Sequence, residues 1–214
     1  MCSRIMFVLA CSLSLDGCTI YGREVRSMPA LGPEAAVVHA CPGAPKIWYS
    51  PPSGGAVCFS AQGVEAEVKA NNFETTLLLL GPLVPVVPIH FGETPASARR
   101  LGVDLAFKTD VRYTFSPWRV TLRTARGETI AVAEVLTNVR DPDGVHTVKV
   151  DPQDREARPL FAGYARFFLR FEKPVTPDEE FSLTLHLIAP DGADVPLPTI
   201  TFKKGKLSYL GTVP

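Results

Sequence analysis

The sequence predicts a mainly β protein: an antiparallel β-sandwich of immunoglobulin-like or similar type, with about eight to ten strands and little helix. Three observations carry this. Apolar and polar residues alternate with a period of two in several separate stretches, the mark of half-buried strands. Turn-formers such as Asp141-Pro142-Asp143-Gly144 and Asp191-Gly192 separate those stretches. Finally, 20 prolines and 16 glycines leave little uninterrupted chain for helices.

A chain of 214 residues is long enough to bury roughly 70% of its unfolded surface, so it folds without a metal or a dense disulfide framework. Its 22 Lys and Arg balance 22 Asp and Glu. Nothing in that balance recruits a phosphate backbone, and nucleic acid is not expected as a partner.

The N-terminus has a basic start at Arg4, an almost wholly apolar run over residues 5–15, and then Leu15-Asp16-Gly17-Cys18. An apolar run of about 7 to 15 residues after a positive charge reads as a secretory signal peptide and is too short to span a bilayer. The tetrapeptide resembles the lipobox of bacterial lipoproteins, with Leu at −3, a small residue at −1 and Cys at +1. It departs from that pattern at −2, where Asp16 replaces a small uncharged residue. The resemblance covers the first 18 residues only. It implies removal of residues 1–17, fatty-acyl modification of Cys18 (diacylglyceryl, palmitate class) and attachment to the membrane of a bacterial cell envelope. Thr19 after the cysteine implies sorting to the outer membrane, facing the periplasm. The rival reading is an ordinary signal peptide cut near the same place.

In either case Cys2 and Cys11 leave with the leader, and in the first Cys18 is consumed by the lipid. Cys41 and Cys58 then form an even pair in an oxidising compartment, where a disulfide persists. Metal ligation by that pair lacks any accompanying Cys-x-x-Cys or His-x-x-x-His spacing. Residues 18–35 hold few bulky apolar side chains and read as a flexible tether with an r.m.s. reach of roughly 20 to 25 Å. The sandwich domain is expected over 36–214.

Its strands follow in order. Val64, Ala66 and Val68 alternate with charged residues. Residues 75–91, TTLLLLGPLVPVVPIHF, are uncharged with prolines at 82, 85 and 88. Those prolines exclude a spanning helix and a central strand. The expectation is a strand through Leu80, a turn at Gly81-Pro82, then an extended segment at an edge or end. There Leu83, Val84, Val86 and Val87 cover the core or meet a bilayer or protein partner. Val103, Leu105 and Phe107 alternate next, then Trp118, Val120 and Leu122, then residues 145–150. Residues 160–171 fit a helical stripe or a strand; the aromatic enrichment favours a strand with Ala165, Phe167, Leu169 and Phe171 inward and Arg166, Phe168 and Arg170 outward. Phe181, Leu183, Leu185 and Leu187 form the last clear run.

No catalytic constellation is visible. There is no Gly-x-Ser-x-Gly elbow, the four histidines are scattered, and acidic pairs such as Asp141/Asp143 and Asp191/Asp194 sit in turns, where Asp is favoured for local hydrogen bonding. No cofactor and no metal is implied. Trp48 and Tyr49, in the loop closed by Cys41 and Cys58, and Trp118 are candidate stacking residues for a sugar or an interface. The expectation is a lipid-anchored envelope protein that binds or scaffolds, with a possible envelope protein partner. The alternative is a secreted or anchored carbohydrate-active enzyme or carbohydrate-binding module.

Overall fold

A computed structural model of the chain describes residues 18–31, 36–37, 56–81, 84–89, 100–141, 144–153, 158–159 and 165–213. Their strands, in chain order, begin with β1 (Cys18–Leu31), β2 (Ala36–Val37), β3 (Ala56–Ala61), β4 (Val64–Ala70), β5 (Phe73–Gly81) and β6 (Val84–Ile89). Next come β7 (Gly102–Thr109), β8 (Thr114–Phe115), β9 (Thr121–Thr124), β10 (Thr129–Ile130), β11 (Val132–Asp141) and β12 (Gly144–Lys149). The remainder are β13 (Arg158–Pro159), β14 (Ala165–Phe171), β15 (Phe181–Thr184), β16 (His186–Ile188), β17 (Asp194–Pro196) and β18 (Ile200–Val213).

The strands form two seven-stranded sheets, β10-β9-β15-β18-β1-β5-β6 and β12-β11-β14-β7-β4-β3-β2, and a small sheet, β13-β8-β16-β17. This is the expected mainly β, antiparallel, sandwich-like architecture. It holds more strands than the eight to ten expected, because pairs such as Thr114–Phe115 and Thr129–Ile130 are too short to show any periodicity.

The chain divides into two compact units. The larger runs over Val25–Glu74 and Thr94–Gly205 and contains the core. Alternation puts Val64, Ala66 and Val68 of β4, Val103, Leu105 and Phe107 of β7, and Phe167, Leu169 and Phe171 of β14 inside. Leu122 of β9, Phe181 and Leu183 of β15, and Ile200 and Phe202 of β18 belong to the same cluster. Two aromatic groups anchor it. Phe115 lies 5.0 Å from both Phe107 and Phe167, centroid to centroid. Phe181 and Phe202 stack at 4.6 Å with planes 10° apart.

The smaller unit takes in residues up to Glu24, Thr75–Glu93 and residues from Lys206 onward. Its described strand segments follow the order β18-β1-β5-β6. Tyr21 donates a hydrogen bond to Ser208 Oγ at 3.1 Å. The uncharged stretch makes a hairpin: β5 pairs with β6 from Leu77↔Ile89 to Gly81↔Val84, with a register shift between Leu79 and Gly81. Two residues of β6, Pro85 and Val86, face one of β5 at that shift, and β6 is the sheet's last strand. Bulges and edges are where strands accept proline.

Three local expectations are corrected. The tether over 18–35 is not a tether over 18–31: Cys18–Leu31 is β1, central in its sheet between β18 and β5. Its buried side chains are polar, with Glu24, Arg26 and Ser27 at 2%, 7% and 0% exposure. Arg26 lies 5.9 Å above the Phe73 ring. Such a strand is held by ladders on both sides and by polar partners, so it leaves no apolar alternation to read. Trp118 does not open a strand. Pro117 starts a 3-10 turn, Pro117–Arg119, and β9 begins at Thr121. Residues 145–149 have no inward phase, because β12 is an edge strand exposed on both faces.

A polar recess on the outer face of β7, β14, β11 and β12

Because Phe167, Leu169 and Phe171 point inward, Arg166, Phe168 and Arg170 stand on the opposite face of β14. Register supplies their neighbours. Phe168 lies opposite Asp104 of β7 and Leu136 of β11, and Leu136 lies opposite Lys149 of β12. Four strands thus contribute one row across the sheet. Asn138 and Thr147 form the next cross-strand pair of β11 and β12.

The row is framed by charge pairs. Arg166 sits opposite Ala106 and reaches diagonally to Asp104, donating Nε–H to Oδ1 at 2.8 Å and Nη2–H to Oδ2 at 2.6 Å. Arg170 and Lys149 converge on Glu134, with Nη1···Oε2 at 3.0 Å and Nζ···Oε1 at 2.9 Å. The Lys149 hydrogen bond holds the Glu134 carboxyl below its ordinary range; the Lys149 and Arg170 charges reinforce this and partial burial opposes it. Thr147 Oγ1 donates to Asn138 Oδ1 at 3.1 Å. Pairs this close to solvent contribute about 0 to 1 kcal/mol each, so their main effect is to fix geometry.

Between them is an open recess of about 270 Å³ lined by Asp104, Leu136, Asn138, Thr147, Arg166 and Phe168. Its apolar floor depends on a glycine. A Cβ on Gly102 would lie 2.7 Å from Cζ of Phe168, so only glycine lets the ring settle there. The Arg170 guanidinium lies 5.6 Å from the ring centroid on its own strand.

One chemistry open to this arrangement is recognition. An apolar ring flanked by an amide, a hydroxyl and an oriented guanidinium can hold a small polar ligand with an apolar face. A general acid needs a raised carboxyl pKa, and Glu134 is shifted the other way. Among the described residues, no group of three His, Cys, Asp or Glu gathers as a metal site.

A second polar group ties the 3-10 turn to the β16–β17 hairpin. Arg119 Nη2 lies 3.6 Å and His186 Nδ1 3.2 Å from Asp194 Oδ2, the histidine off the line of a hydrogen bond. Trp118 packs half-buried against the core, and among the described residues its indole N–H has no partner.

The other sequence candidates lie apart from the recess. Cys41, Trp48, Tyr49 and Leu83 fall outside the described residues. Val84, Val86 and Val87 lie on β6, with only their backbone described. Cys18 is the first residue of β1. Cys58 is buried on β3 at 6% exposure and is not a free thiol. Asp151 and Asp191 do act in turns, accepting from the backbone N–H of Gln153 at 2.8 Å and Ala193 at 3.0 Å. Sequence reasoning found the outward Arg166, Phe168 and Arg170 but missed Asp104, Glu134, Leu136, Asn138 and Thr147, whose proximity depends on strand register. Comparison of the chain with protein-family models, with curated proteins and with solved structures found no match.

Proposed function

We propose that the protein is a lipid-anchored component of the bacterial cell envelope whose β-sandwich binds or scaffolds. The observation that carries the reading is Leu15-Asp16-Gly17-Cys18 directly after a basic start and an apolar run. Cys18 bears the lipid, Thr19 directs the chain to the outer membrane on its periplasmic side, and Cys41 pairs with Cys58. The recess around Phe168 is the binding face. Its lining carboxylate, Asp104, is paired with Arg166, and Glu134 beside it with Arg170 and Lys149, which suits fixed recognition better than proton transfer. The test is mass spectrometry of the membrane fraction, wild type against Cys18→Ala. A Cys18-bearing N-terminal peptide carrying acyl mass in the wild type, and release of the variant from membranes, is expected; an unmodified soluble chain in both would sink the proposal.

A second reading, a carbohydrate-binding module, draws on the same floor: an aromatic face with Asn138 and Thr147 beside it can stack on a sugar ring and bond its hydroxyls. Glycan-array binding abolished by Phe168→Ala favours it. Glycan binding unchanged in that variant removes it.

A further inference from the structure

The smaller unit has one end at which several strands terminate together. β1 starts at Cys18 between β18 and β5. Residues up to Glu24, from Thr75 and from Lys206 share that unit, whereas Phe73 and Ile200 belong to the other. Neighbours of β1 must therefore run opposite to it, which sets the ends Gly81 of β5 and Val213 of β18 beside Cys18. Val84, which opens β6, is paired with Gly81. Adjacent strands lie about 4.8 Å apart, so the four ends fall within roughly 15 Å of one another.

The strand segments that reach that end carry no charged side chain. Residues 18–22, 75–89 and 207–213 contain no Asp, Glu, Lys or Arg, although 27 residues at the chain's overall 21% would hold about six. We infer that this uncharged strand end rests on a lipid bilayer, at the level of the headgroups. The inference builds on the reading of Cys18 as lipidated. An acyl chain on Cys18 draws that residue to the membrane surface, and β1 is a strand from its first residue, so no slack separates the lipid from the sheet. Gly81, Val84 and Val213 reach the surface with it, where an uncharged and largely apolar end gains by partitioning into the headgroup–acyl boundary. The contact is interfacial and not spanning. Among the described residues β6 is the last strand of its sheet and has six residues, and the parts of β1 and β18 in this unit, 18–24 and 206–213, are also short of the 9 to 11 of a membrane-crossing strand.

The test has two arms. In the first, the full lipidated chain carrying Val86→Cys is labelled with a polarity-sensitive fluorophore and reconstituted into phosphatidylethanolamine/phosphatidylglycerol vesicles. Val145→Cys on β12, exposed by 59%, serves as the control. Position 86 is expected to shift its emission to the blue and to be quenched by headgroup nitroxide lipids, and position 145 to do neither. A label at position 86 that stays water-like on a chain whose Cys18 is shown by mass spectrometry to be acylated overturns the inference. In the second arm the mature Cys18→Ala chain is sedimented with the same vesicles in 1 M salt, alone and with Val86→Glu/Val87→Lys, circular dichroism confirming that both are folded. Retained binding that falls at least fivefold in the charged variant supports the inference. No binding by the parent, or equal binding by both, overturns it where Cys18 proves unmodified. Failure of lipidation alone leaves the second arm to decide, so the two readings fail separately.

Discussion

Phe115 offers the sharpest test of the packing described above. Its side chain is fully buried on the two-residue strand β8, with Phe107 and Phe167 rings each 5.0 Å away. Truncation to alanine removes a buried ring, at about 3 to 5 kcal/mol. It also removes two tilted ring pairs, each worth roughly 0.5 to 1.5 kcal/mol beyond area, which puts Phe115→Ala near the top of that range at about 4 to 5 kcal/mol. Set against a typical domain stability of about 5 to 15 kcal/mol, this is a large fraction. At roughly 2 to 4 °C per kcal/mol for a domain of this size, Tm should fall by about 8 to 20 °C. Phe115→Leu keeps most of the volume and should cost about 1.5 kcal/mol or less. Urea and thermal unfolding followed by circular dichroism measure both, with an unchanged m-value confirming that the native state was the one perturbed. A fall in Tm under about 3 °C for Phe115→Ala, or equal effects of Ala and Leu, would refute the claim that this ring packs the small sheet onto the core.

Three further outcomes are expected. Gly205→Ala should destabilise by about 1 to 3 kcal/mol in urea titrations, because a Cβ there would overlap the Met28 side chain, with Sδ 3.1 Å and Cβ 3.2 Å away; Met28→Ala in the same chain should restore much of the loss. Glu134 titrates below the ordinary carboxylate range in the folded chain, so its stabilising contribution is complete above that range and disappears as pH falls through the lower folded value. Glu134→Gln should therefore flatten the acid limb of stability against pH, and an unchanged limb would count against the Lys149 and Arg170 contacts. If Cys58 pairs with Cys41, Cys58→Ser should cost about 3 kcal/mol in oxidising buffer and dithiothreitol should bring the wild type down to the variant's stability.

Much of this fold was legible because most core strands are half-buried. Val64, Ala66 and Val68, or Phe181, Leu183, Leu185 and Leu187, alternate in the sequence and are buried in the structure. The ambiguous aromatic run resolved as a strand with the anticipated faces, Phe167, Leu169 and Phe171 in and Arg166 and Arg170 out. The strand β1 was not legible, since polar side chains fill its buried face. The recess was half legible. An outward Phe168 between two arginines can be read from one strand, but Asp104 and Glu134 are 64 and 34 positions away in the chain and meet it only through register. Sequence periodicity fixes which face a side chain takes, and leaves open which neighbour it meets.

The pairing of β1 with β18 also governs when the chain can fold. Tyr21 and Ser208 are 187 positions apart yet hydrogen-bonded, so the first strand waits for the last one to arrive. Loop closure over that distance precedes any return from the contact, which places the sheet among slow-forming, non-local topologies. A chain leaving a ribosome or a secretion channel N-terminus first cannot complete its central ladder until about residue 213 has emerged. During that interval β1 and β15, the two neighbours of β18, present open edges, a state that a holding chaperone would protect and that truncation within β18 would make permanent.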